Sequence, residues 1–203
     1  MNQVQFQGNQ KPFPFLRKLK KGECLFSQGD EFNGYYLVKS GLIKTHRSHE
    51  SGNRSILSIK IQGEFLGDYG TTAQGKVHSY FASALEENTV VELIPVEDPS
   101  HLRHLKILES MQSEIQSARL RLERVLFQNA EERIKGSLKE LGKKLGQRFG
   151  DETLLKIALT HEDLARLADT SRQTVSTVLF GLKSQNKINY SRGRILFRNL
   201  DNF

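Results

Sequence analysis

The segment that follows Ser171 carries two sets of side chains on opposite sides of a predicted helix. One set is apolar, recurs at steps of three and four, and consists of Val175, Val178, Leu179 and Leu182. The other set points away from the first and consists of Gln173, Thr177, Phe180 and Ser184, with Arg172 at its flank. The spacing predicts a helix whose apolar face is buried. Its outer row offers hydrogen-bond donors and acceptors, which is the chemistry needed to recognise another molecule.

Two further elements are predicted to position this helix. Thr160 can cap a preceding short helix, and Asp163, three residues on, can complete a capping box. After the second helix, "KINYSRGRILFRN" alternates apolar and polar residues around a glycine-containing turn at residues 191–194, which predicts a hairpin. Two short helices followed by a basic hairpin form a winged helix-turn-helix.

Charge is segregated in the same part of the 203-residue chain, whose formal net charge is +7. Residues 171–198 include no Asp or Glu. The basic residues of that stretch are Arg172, Lys183, Lys187, Arg192, Arg194 and Arg198. Solvated faces normally mix both signs of charge. The segregation therefore favours a surface that faces a polyanion such as a nucleic acid.

The first 99 residues have the pattern of a β-rich region. Short apolar runs alternate with turn signals such as "SQGD", "KSG" and "ESGN", and strands are predicted at residues 35–38, 42–46 and 56–61. Many short strands at this spacing are typical of a β-sandwich or a small barrel. Asp98 is then predicted to cap a helix that has Pro99 at its first position.

From there the chain is predicted to be helical for about 45 residues. Apolar residues recur at alternating steps of three and four in this stretch and are Leu108, Met111, Ile115, Ala118, Leu122 and Val125. The pattern predicts a coiled-coil seam between two copies of the chain. Packing of the stripe on the β-rich region is the alternative, but few other apolar residues surround it, which favours a partner helix. "FGD" at residues 149–151 is predicted to close a further helix.

Composition limits the remaining chemistry. Cys24 is the one cysteine, which excludes an intramolecular disulfide and a multi-cysteine zinc or iron–sulfur site, and its apolar neighbours predict a buried thiol. His101 and His104 have the spacing of a metal pair, but the sequence places no third ligand beside them, so no metal site is predicted. No apolar run approaches the roughly 20 residues of a membrane helix, and "MNQVQFQGNQ" lacks the pattern of a signal peptide. We therefore expect a cytoplasmic protein with no membrane partner.

Three motifs resemble those of the Crp/Fnr family of bacterial transcription regulators. "TSRQTVSTVLFGLKSQNKI" resembles the family's recognition helix, and "AEERI" at residues 130–134 resembles the segment just beyond its hinge. "GEFLGDYG" at residues 63–70 resembles the segment that cradles a cyclic-nucleotide phosphate. The resemblance implies an α+β fold: an N-terminal β-roll (a cyclic-nucleotide-binding-like jelly roll) at residues 1–99, a long dimerisation helix at 100–129 and a C-terminal winged helix-turn-helix at 130–203.

The resemblance also implies a homodimer that inserts two recognition helices into a palindromic operator in double-stranded DNA, with RNA polymerase as a further partner. The residues that it places at the DNA are Thr160, Ser171, Arg172, Gln173, Thr177, Phe180, Lys183, Arg192 and Arg194. Arg172 matches the family position that donates two hydrogen bonds to a guanine. Gln173 and Thr177 stand where the cyclic-AMP-binding members have an acidic residue and a second arginine, so we expect a different half-site.

The resemblance places an effector pocket at Gly67, Asp68, His78, Ser79, Ala118 and Arg119. These positions depart from the cyclic-AMP-binding members, in which an arginine binds the phosphate and hydroxyl side chains hold the adenine. His78 carries a positive charge only near or below its usual pKa of about 6.5. We therefore expect an effector of unknown identity other than cyclic AMP. We expect no iron–sulfur cluster, and we do not favour His78 as a haem ligand.

Two alternatives remain open at this point. The β-roll can serve as a protein-interaction module without a small ligand, or the chain can be an enzyme built on a β-roll scaffold. The sequence shows no nucleophile–base pair, metal cluster or phosphate loop beyond the altered pocket. We therefore favour a regulator that is not an enzyme.

Overall fold

Two antiparallel sheets form the N-terminal part of the chain. The computed structural model describes residues 15–73, 75–98 and 100–203. The strands of this part are β1 (Phe15–Leu19), β2 (Cys24–Phe26), β3 (Gly34–Ser40), β4 (Ile43–Ser48), β5 (Arg54–Lys60), β6 (Phe65–Leu66), β7 (Tyr69–Thr72), β8 (Gly75–His78), β9 (Phe81–Ala84) and β10 (Thr89–Pro95). One sheet has the order β1-β10-β3-β6, the second has the order β2-β9-β4-β5, and β7 pairs with β8 in a hairpin. The three strands predicted from the apolar runs correspond to β3, β4 and β5.

Side chains from both sheets meet in an apolar core. Its buried members are Leu19, Leu25, Phe26, Val38, Ile43, Leu66, Tyr80, Ala82, Ala84 and Val91. On β4, Ile43 and Thr45 are fully buried, whereas Lys44 and His46 alternate with them and are partly buried. Successive side chains of a strand point to opposite faces, so Lys44 and His46 face away from this core. The two sheets are the β-roll that the sequence predicts.

Cys24 lies at the exposed start of β2, so the prediction of a buried thiol is wrong. Leu25 and Phe26 are the residues of this strand that enter the core. The Cys24 thiol lies 3.1 Å from the carbonyl oxygen of Phe26. The apolar neighbours in the sequence thus mark the buried part of the strand, and the cysteine itself stands at the strand end.

A long helix, α1 (His101–Phe127), follows the β-roll and begins one residue after its cap. Ser100 is that cap, because its hydroxyl accepts a hydrogen bond from the Arg103 amide at 3.3 Å. The prediction that Asp98 caps this helix is therefore wrong. The Asp98 carboxylate instead accepts from the Ser100 amide at 2.7 Å and pairs with the Arg103 guanidinium at 3.2 Å. Pro99, the predicted first residue of the helix, lies outside the described residues.

The predicted helical stretch is two helices, because the chain leaves helical geometry at Gln128 and Asn129. The second helix is α2 (Ala130–Leu145). The Asn129 side chain accepts from the Glu132 amide at 3.0 Å, and the Glu132 carboxylate accepts from the Asn129 amide at 2.9 Å. This reciprocal pair satisfies two amides that a new helix leaves unbonded. The start of α2 is therefore a separate, capped helix terminus.

The C-terminal elements are β11 (Gln147–Phe149), β12 (Glu152–Lys156), α3 (His161–Leu167), α4 (Arg172–Ser184), β13 (Ile188–Ser191) and β14 (Arg194–Phe197). The four strands form one antiparallel sheet of order β11-β12-β14-β13. The prediction that "FGD" closes a helix is wrong, because Phe149 ends β11 and Gly150, at φ +60°, turns the chain into β12. The predicted helix pair and hairpin are present. The α+β fold of β-roll, long helix and winged helix-turn-helix is confirmed.

The C-terminal part packs directly on the β-roll. A continuous buried cluster joins Leu42, Ile56, Ile59 and Leu85 of the β-roll to Leu138, Leu155, Leu164, Val175, Leu179 and Phe197 of the C-terminal part. Polar contacts surround this cluster. The Arg121 guanidinium on α1 donates to both carboxylate oxygens of Asp169 at 2.7 Å, and Lys144 on α2 pairs with Glu64 at 2.8 Å. The two halves of the chain therefore share one core.

Candidate nucleic-acid interface and effector pocket

Local hydrogen bonds set the geometry of α3 and α4. The Thr160 hydroxyl accepts from the Asp163 amide at 3.0 Å, and the Asp163 carboxylate accepts from the Thr160 amide at 3.0 Å. The Ser171 hydroxyl accepts from the Thr174 amide at 3.1 Å. Between the helices, Asp169 adopts φ +52°, a left-handed conformation that Asp tolerates better than most residues. The predicted caps of both helices are confirmed.

The two faces of α4 differ as the spacing predicts. Val175, Leu179 and Leu182 are buried, and Val178 packs against the same cluster. The exposed residues of the outer row are Arg172, Gln173, Thr177, Phe180 and Ser184. Phe180 is 70% exposed, which is unusual for a large aromatic side chain. α4 is therefore held by one face and presents the other to solvent.

Hydrogen bonds within α4 decide which groups of this row remain available. The Thr177 hydroxyl donates to the Gln173 carbonyl at 3.1 Å, and the Ser184 hydroxyl donates to the Phe180 carbonyl at 2.8 Å. Thr177 thus presents its methyl group and its oxygen lone pairs, because its proton is already used. Among the described residues, the side chains of Arg172 and Gln173 have no hydrogen-bond or ion-pair partner. Arg172 and Gln173 are the groups of α4 best placed to bond an incoming molecule.

The β13–β14 hairpin forms a basic wing beside α4. Gly193 turns the chain at φ +74°, and Arg192 and Arg194 on either side of it are exposed. The Lys183 ammonium lies 5.5 Å from the centre of the Tyr190 ring, which ties the end of α4 to the wing. The wing thus extends the positive charge of α4 onto a second element.

Two charged residues at this surface differ from what the sequence pattern predicts. Arg198 pairs with Glu152 on β12, so it is not an unopposed cation as the 171–198 stretch predicts. Lys156, also on β12, is exposed and lies directly opposite Arg194 in the strand register. Glu152 and Lys156 both come from β12, outside the motif, so their positions beside Arg198 and Arg194 depend on the order of the strands in the sheet. The segment "ETLLK" has no alternation of polar and apolar residues that would mark this strand, because its two leucines are adjacent.

His161, which the sequence analysis did not single out, contacts both α4 and the wing. Its Nδ1 atom lies 2.9 Å from the Ser176 hydroxyl on α4, and its ring faces Tyr190 of the wing at 6.0 Å between centres. The residue follows the cap Thr160 directly, so it lies at the amino end of α3. It links α3, α4 and the wing, and thereby holds the three elements in one arrangement.

Three of the predicted effector residues lie in two loops of the β-roll that hydrogen bonds connect: Gly67 and Asp68 between β6 and β7, and Ser79 between β8 and β9. The Gly67 amide donates to the Tyr80 hydroxyl at 2.7 Å. The Ser79 hydroxyl donates to the Asp68 carboxylate in a short hydrogen bond. The Gly67 amide and the Ser79 hydroxyl proton are therefore already engaged in hydrogen bonds within the β-roll.

His78, which the resemblance places in the effector pocket, lies buried among aromatic rings of the β-roll. The ring is only 2% exposed and stacks on Phe26 with 3.7 Å between ring centres. Phe32 contacts it edge-on at 5.1 Å. Burial lowers the pKa of His78 to about 4, because the charged form loses its hydration among apolar rings. The imidazole is therefore neutral near pH 7.

Ala118 and Arg119 lie on the exposed surface of α1. No hydrogen bond or ion pair within the described ranges joins them to Gly67, Asp68 or Ser79. The single chain therefore does not bring the six predicted effector residues together through polar contacts.

The predicted seam of α1 is largely uncovered in the single chain. Leu108, Ile115, Leu122 and Val125 are 44–59% exposed, and Ala118 is exposed beside them. Met111 differs, because it packs with Ile107 against Phe65 and Ile94 of the β-roll. The alternative in which the whole stripe packs on the β-roll is thus wrong for the exposed members.

The residues that the structure describes offer neither a metal cluster nor a membrane-spanning helix. No group of three or more His, Cys, Asp or Glu side chains is placed to hold a metal ion there. No helix among them is both long and apolar enough to span a membrane.

Two protein-family models match the chain over most of its length. The model of the cyclic nucleotide-binding domain matches residues 16–98, and the model of the Crp-like helix-turn-helix domain matches residues 132–202. The first range covers the β-roll and the second covers nearly all of the C-terminal part.

Curated relatives and solved structures agree with these matches. The cyclic AMP receptor protein of Thermus thermophilus is 30% identical over 191 residues, which are 91% of this chain and 84% of the relative. The fumarate and nitrate reduction regulatory protein of Vibrio cholerae is 29% identical over 169 residues, which are 80% of this chain but only 66% of that protein. A CRP/FNR-family transcriptional regulator of Thermus thermophilus has a similar structure, with a TM-score of 0.76, 25% identity, and coverage of 92% of this chain and 95% of that chain.

Proposed function

The chain belongs to the Crp/Fnr family of DNA-binding transcription regulators, and we propose that it binds a palindromic operator as a homodimer. One observation carries the proposed DNA binding: the exposed side chains of Arg172 and Gln173 on α4 and of Arg192 and Arg194 on the wing form no hydrogen bond or ion pair with any described residue. We also propose the division of the chain into a sensory domain at 1–99, a dimerisation helix at 100–129 and a DNA-binding domain at 130–203.

In the proposed complex, α4 lies in the major groove with its amino end at the bases. Arg172 donates two hydrogen bonds to a guanine, and Gln173 suits an adenine. Thr177 presents its methyl group, which suits a thymine methyl. The caps Thr160 and Ser171 and the cations Lys183, Arg192 and Arg194 meet phosphates, which position the domain without reading sequence. Phe180 adds an apolar contact at the exposed centre of the helix.

The exposed stripe on α1 supports the proposed homodimer. Two copies that pair along this stripe bury its leucine, isoleucine and valine side chains and place two α4 helices on one side of the assembly. Half-sites one helical turn apart, about 34 Å, are the spacing that such a dimer reads. RNA polymerase is the proposed further partner, and the cytoplasm is the proposed location.

The proposed effector is not cyclic AMP. Its phosphate would need a cation at the loops that carry Gly67, Asp68 and Ser79, but His78 is neutral and buried there. Titration of cyclic AMP into the full chain in a calorimeter is expected to show weak or no binding. A low-micromolar affinity would overturn this part of the proposal.

The DNA contacts are tested by two substitutions with different expected signatures. Arg172→Ala is expected to cost about 1–3 kcal/mol on the selected operator and to flatten the preference at one base pair of each half-site. Arg194→Ala is expected to weaken all sequences alike and to reduce the slope of log affinity against log salt by about one unit, since it removes one phosphate neighbour. The DNA affinities of both variants are measured by fluorescence anisotropy on the operator and on random duplex at several salt concentrations.

Thr177→Arg is the converse test, because it restores the second arginine of the cyclic-AMP-binding members. It is expected to shift the selected half-site toward an additional guanine. Equal losses on operator and random DNA for Arg172→Ala would contradict the base-reading role and leave this residue as a phosphate contact.

A further inference from the structure

A cleft of about 290 Å³ lies between the β-roll and α3. The β-roll contributes Lys21, Lys44, His46 and Arg54 to its walls, and α3 contributes Asp163 and Arg166. Its volume lies near the lower end of the range that small-molecule sites occupy. Both halves of the chain line it, so any molecule bound there contacts both.

Positive charge exceeds negative charge among the described residues of this cleft. Lys44 pairs with Asp163 at 2.8 Å, and both side chains are mostly buried. Arg166 pairs with Glu162, one turn earlier on α3, at 3.1 Å. Lys21 and Arg54 form no ion pair with any described residue. Two cations are therefore uncompensated, and a third shares its charge with a carboxylate inside the cleft.

The environment of His46 shows the same excess of positive charge in the cleft. Its ring stacks on Phe81 with 5.0 Å between centres, and its Nδ1 atom is buried without a hydrogen-bond partner in the described structure. Burial lowers the pKa of His46, and the charges of Lys44, Arg54 and Arg166 lower it further, while Asp163 opposes them. A buried polar atom without a partner is uncommon and marks a place where a ligand or water can bond.

We propose that this cleft binds a compact multivalent anion that carries a phosphate or pyrophosphate group. The ammonium groups of Lys21 and Lys44 and the guanidinium of Arg54 supply charge-assisted hydrogen bonds to its oxygens. His46 Nδ1 gains a partner. The anion competes with the Asp163 carboxylate for the Lys44 ammonium group. Ligand binding therefore weakens an ion pair between the β-roll and α3.

This exchange gives the ligand a route to the DNA-binding surface. Lys44 holds α3 through Asp163, and α3 carries α4 through their shared core. If the anion shifts α3, then anion binding and DNA binding change each other's affinity by the same factor. This regulatory step rests on the proposed function, whereas binding of the anion does not.

The site is tested by calorimetric titration of inorganic pyrophosphate into the full chain without DNA. The expected result is saturable binding of one pyrophosphate per chain. Arg54→Met and Lys44→Met are each expected to weaken it by roughly tenfold, since each removes a charge-assisted hydrogen bond. Arg54 is exposed and makes no ion pair with any described residue, so its replacement is expected to leave the fold intact. Lys18→Met, on the exposed face of β1, is the matched control and is expected to change nothing.

Asp163→Asn is the most discriminating variant. The asparagine oxygen keeps an acceptor for the Thr160 amide at the start of α3, while the carboxylate charge that competes for Lys44 is removed. Pyrophosphate affinity is therefore expected to rise. Absence of binding, an equal loss with Lys18→Met, or no gain with Asp163→Asn would overturn the proposal.

Anisotropy with labelled operator, with and without pyrophosphate, separates this inference from the proposed function. A change in operator affinity that Arg54→Met abolishes supports the regulatory step. No operator binding under any condition contradicts the proposed function and leaves the calorimetric site standing. An operator affinity that Arg54→Met lowers without pyrophosphate present would show that the cleft cations contact DNA, which overturns the small-anion assignment.

Discussion

At the scale of single residues, His78 links the aromatic core of the β-roll to the pH of the solution. The folded chain holds the His78 pKa at about 4, whereas the unfolded chain has it near 6.5. Above pH 6.5 both states are neutral at this residue and its contribution to stability is complete. As the pH falls below 6.5, His78 is protonated in the unfolded state but not in the folded state. The free energy of unfolding therefore decreases until the pH reaches about 4.

The first prediction follows from this difference. Acidification from pH 7 to pH 4.5 is expected to cost up to about 3 kcal/mol through this residue. His78→Phe, which keeps an aromatic ring against Phe26, should make the free energy of unfolding less dependent on pH. Urea denaturation at a series of pH values measures the effect. His49→Gln, at an exposed turn, should leave the wild-type pH dependence unchanged, and an unaltered slope in His78→Phe would refute the prediction.

Residue-level predictions from the sequence succeed where the cause is local. Thr160 and Ser171 cap their helices as predicted, because a cap depends on the amides two or three residues further along the chain. His78 and Cys24 were misjudged, because their exposure depends on which face of a strand meets the other sheet. Phe26 and Phe32, which bury His78, lie about fifty residues earlier in the chain. Burial of that kind is set by long-range packing.

At the scale of elements, the exposed stripe on α1 makes a prediction about assembly. Ile115→Glu and Leu122→Glu are each expected to convert the proposed dimer into monomers, because both side chains are more than half exposed in the single chain and would face each other in the seam. Sedimentation equilibrium at micromolar concentration measures the change. Leu120→Glu is the matched control, since Leu120 is exposed on the same helix outside the seam. A wild-type chain that sediments as a monomer would refute the seam.

A second element-scale prediction concerns the bond network of Arg121. Its guanidinium joins α1 to Asp169 in the turn before α4, and it also donates to the Ser55 hydroxyl on β5 at 2.9 Å. Arg121→Met is expected to cost about 1–3 kcal/mol of stability, because it leaves partly buried acceptors without a donor. Hydrogen exchange of the α3 and α4 amides should speed up. Arg119→Met, two residues earlier on the exposed side of α1, should leave exchange unchanged, whereas equal effects of both variants would contradict the role of Arg121.

The sequence predicts α4, the wing and three strands of the β-roll, whereas it misses the division of the long helical stretch into α1 and α2 and misses the pair β11 and β12. The periodicity of α4 and of the wing is clear because each buries one face. β11 and β12 were missed, since "GQRFGDETLLK" is short, polar and follows a helix, and Phe149 at the end of β11 is itself 53% exposed. The hairpin depends on its pairing with β14, which lies some forty residues later in the sequence. Local pattern alone does not reveal such pairing.

At the scale of the whole molecule, the shared core predicts one cooperative unfolding transition. Ile56→Ala is expected to destabilise both halves together by about 2–5 kcal/mol, because its side chain lies buried where the β-roll meets the C-terminal part. Calorimetry measures the number of unfolding transitions and their midpoints, and hydrogen exchange of the α4 amides measures the stability of the C-terminal part. Leu57→Ala, at the next and exposed position of β5, should have little effect. Two well-separated transitions in the wild-type chain would contradict a common core.

The continuous buried cluster also bears on how this regulator can be re-engineered. A chimera that joins this β-roll to the DNA-binding half of another regulator would leave Leu42, Ile56, Ile59 and Leu85 facing a surface that did not evolve to meet them. Such a hybrid is expected to misassemble unless the facing residues on α2, α3 and β12 are transplanted as well. Operator specificity is therefore easier to reprogramme through the outer row of α4, whose side chains form no hydrogen bond or ion pair with the described residues of the β-roll, than by exchange of the domain.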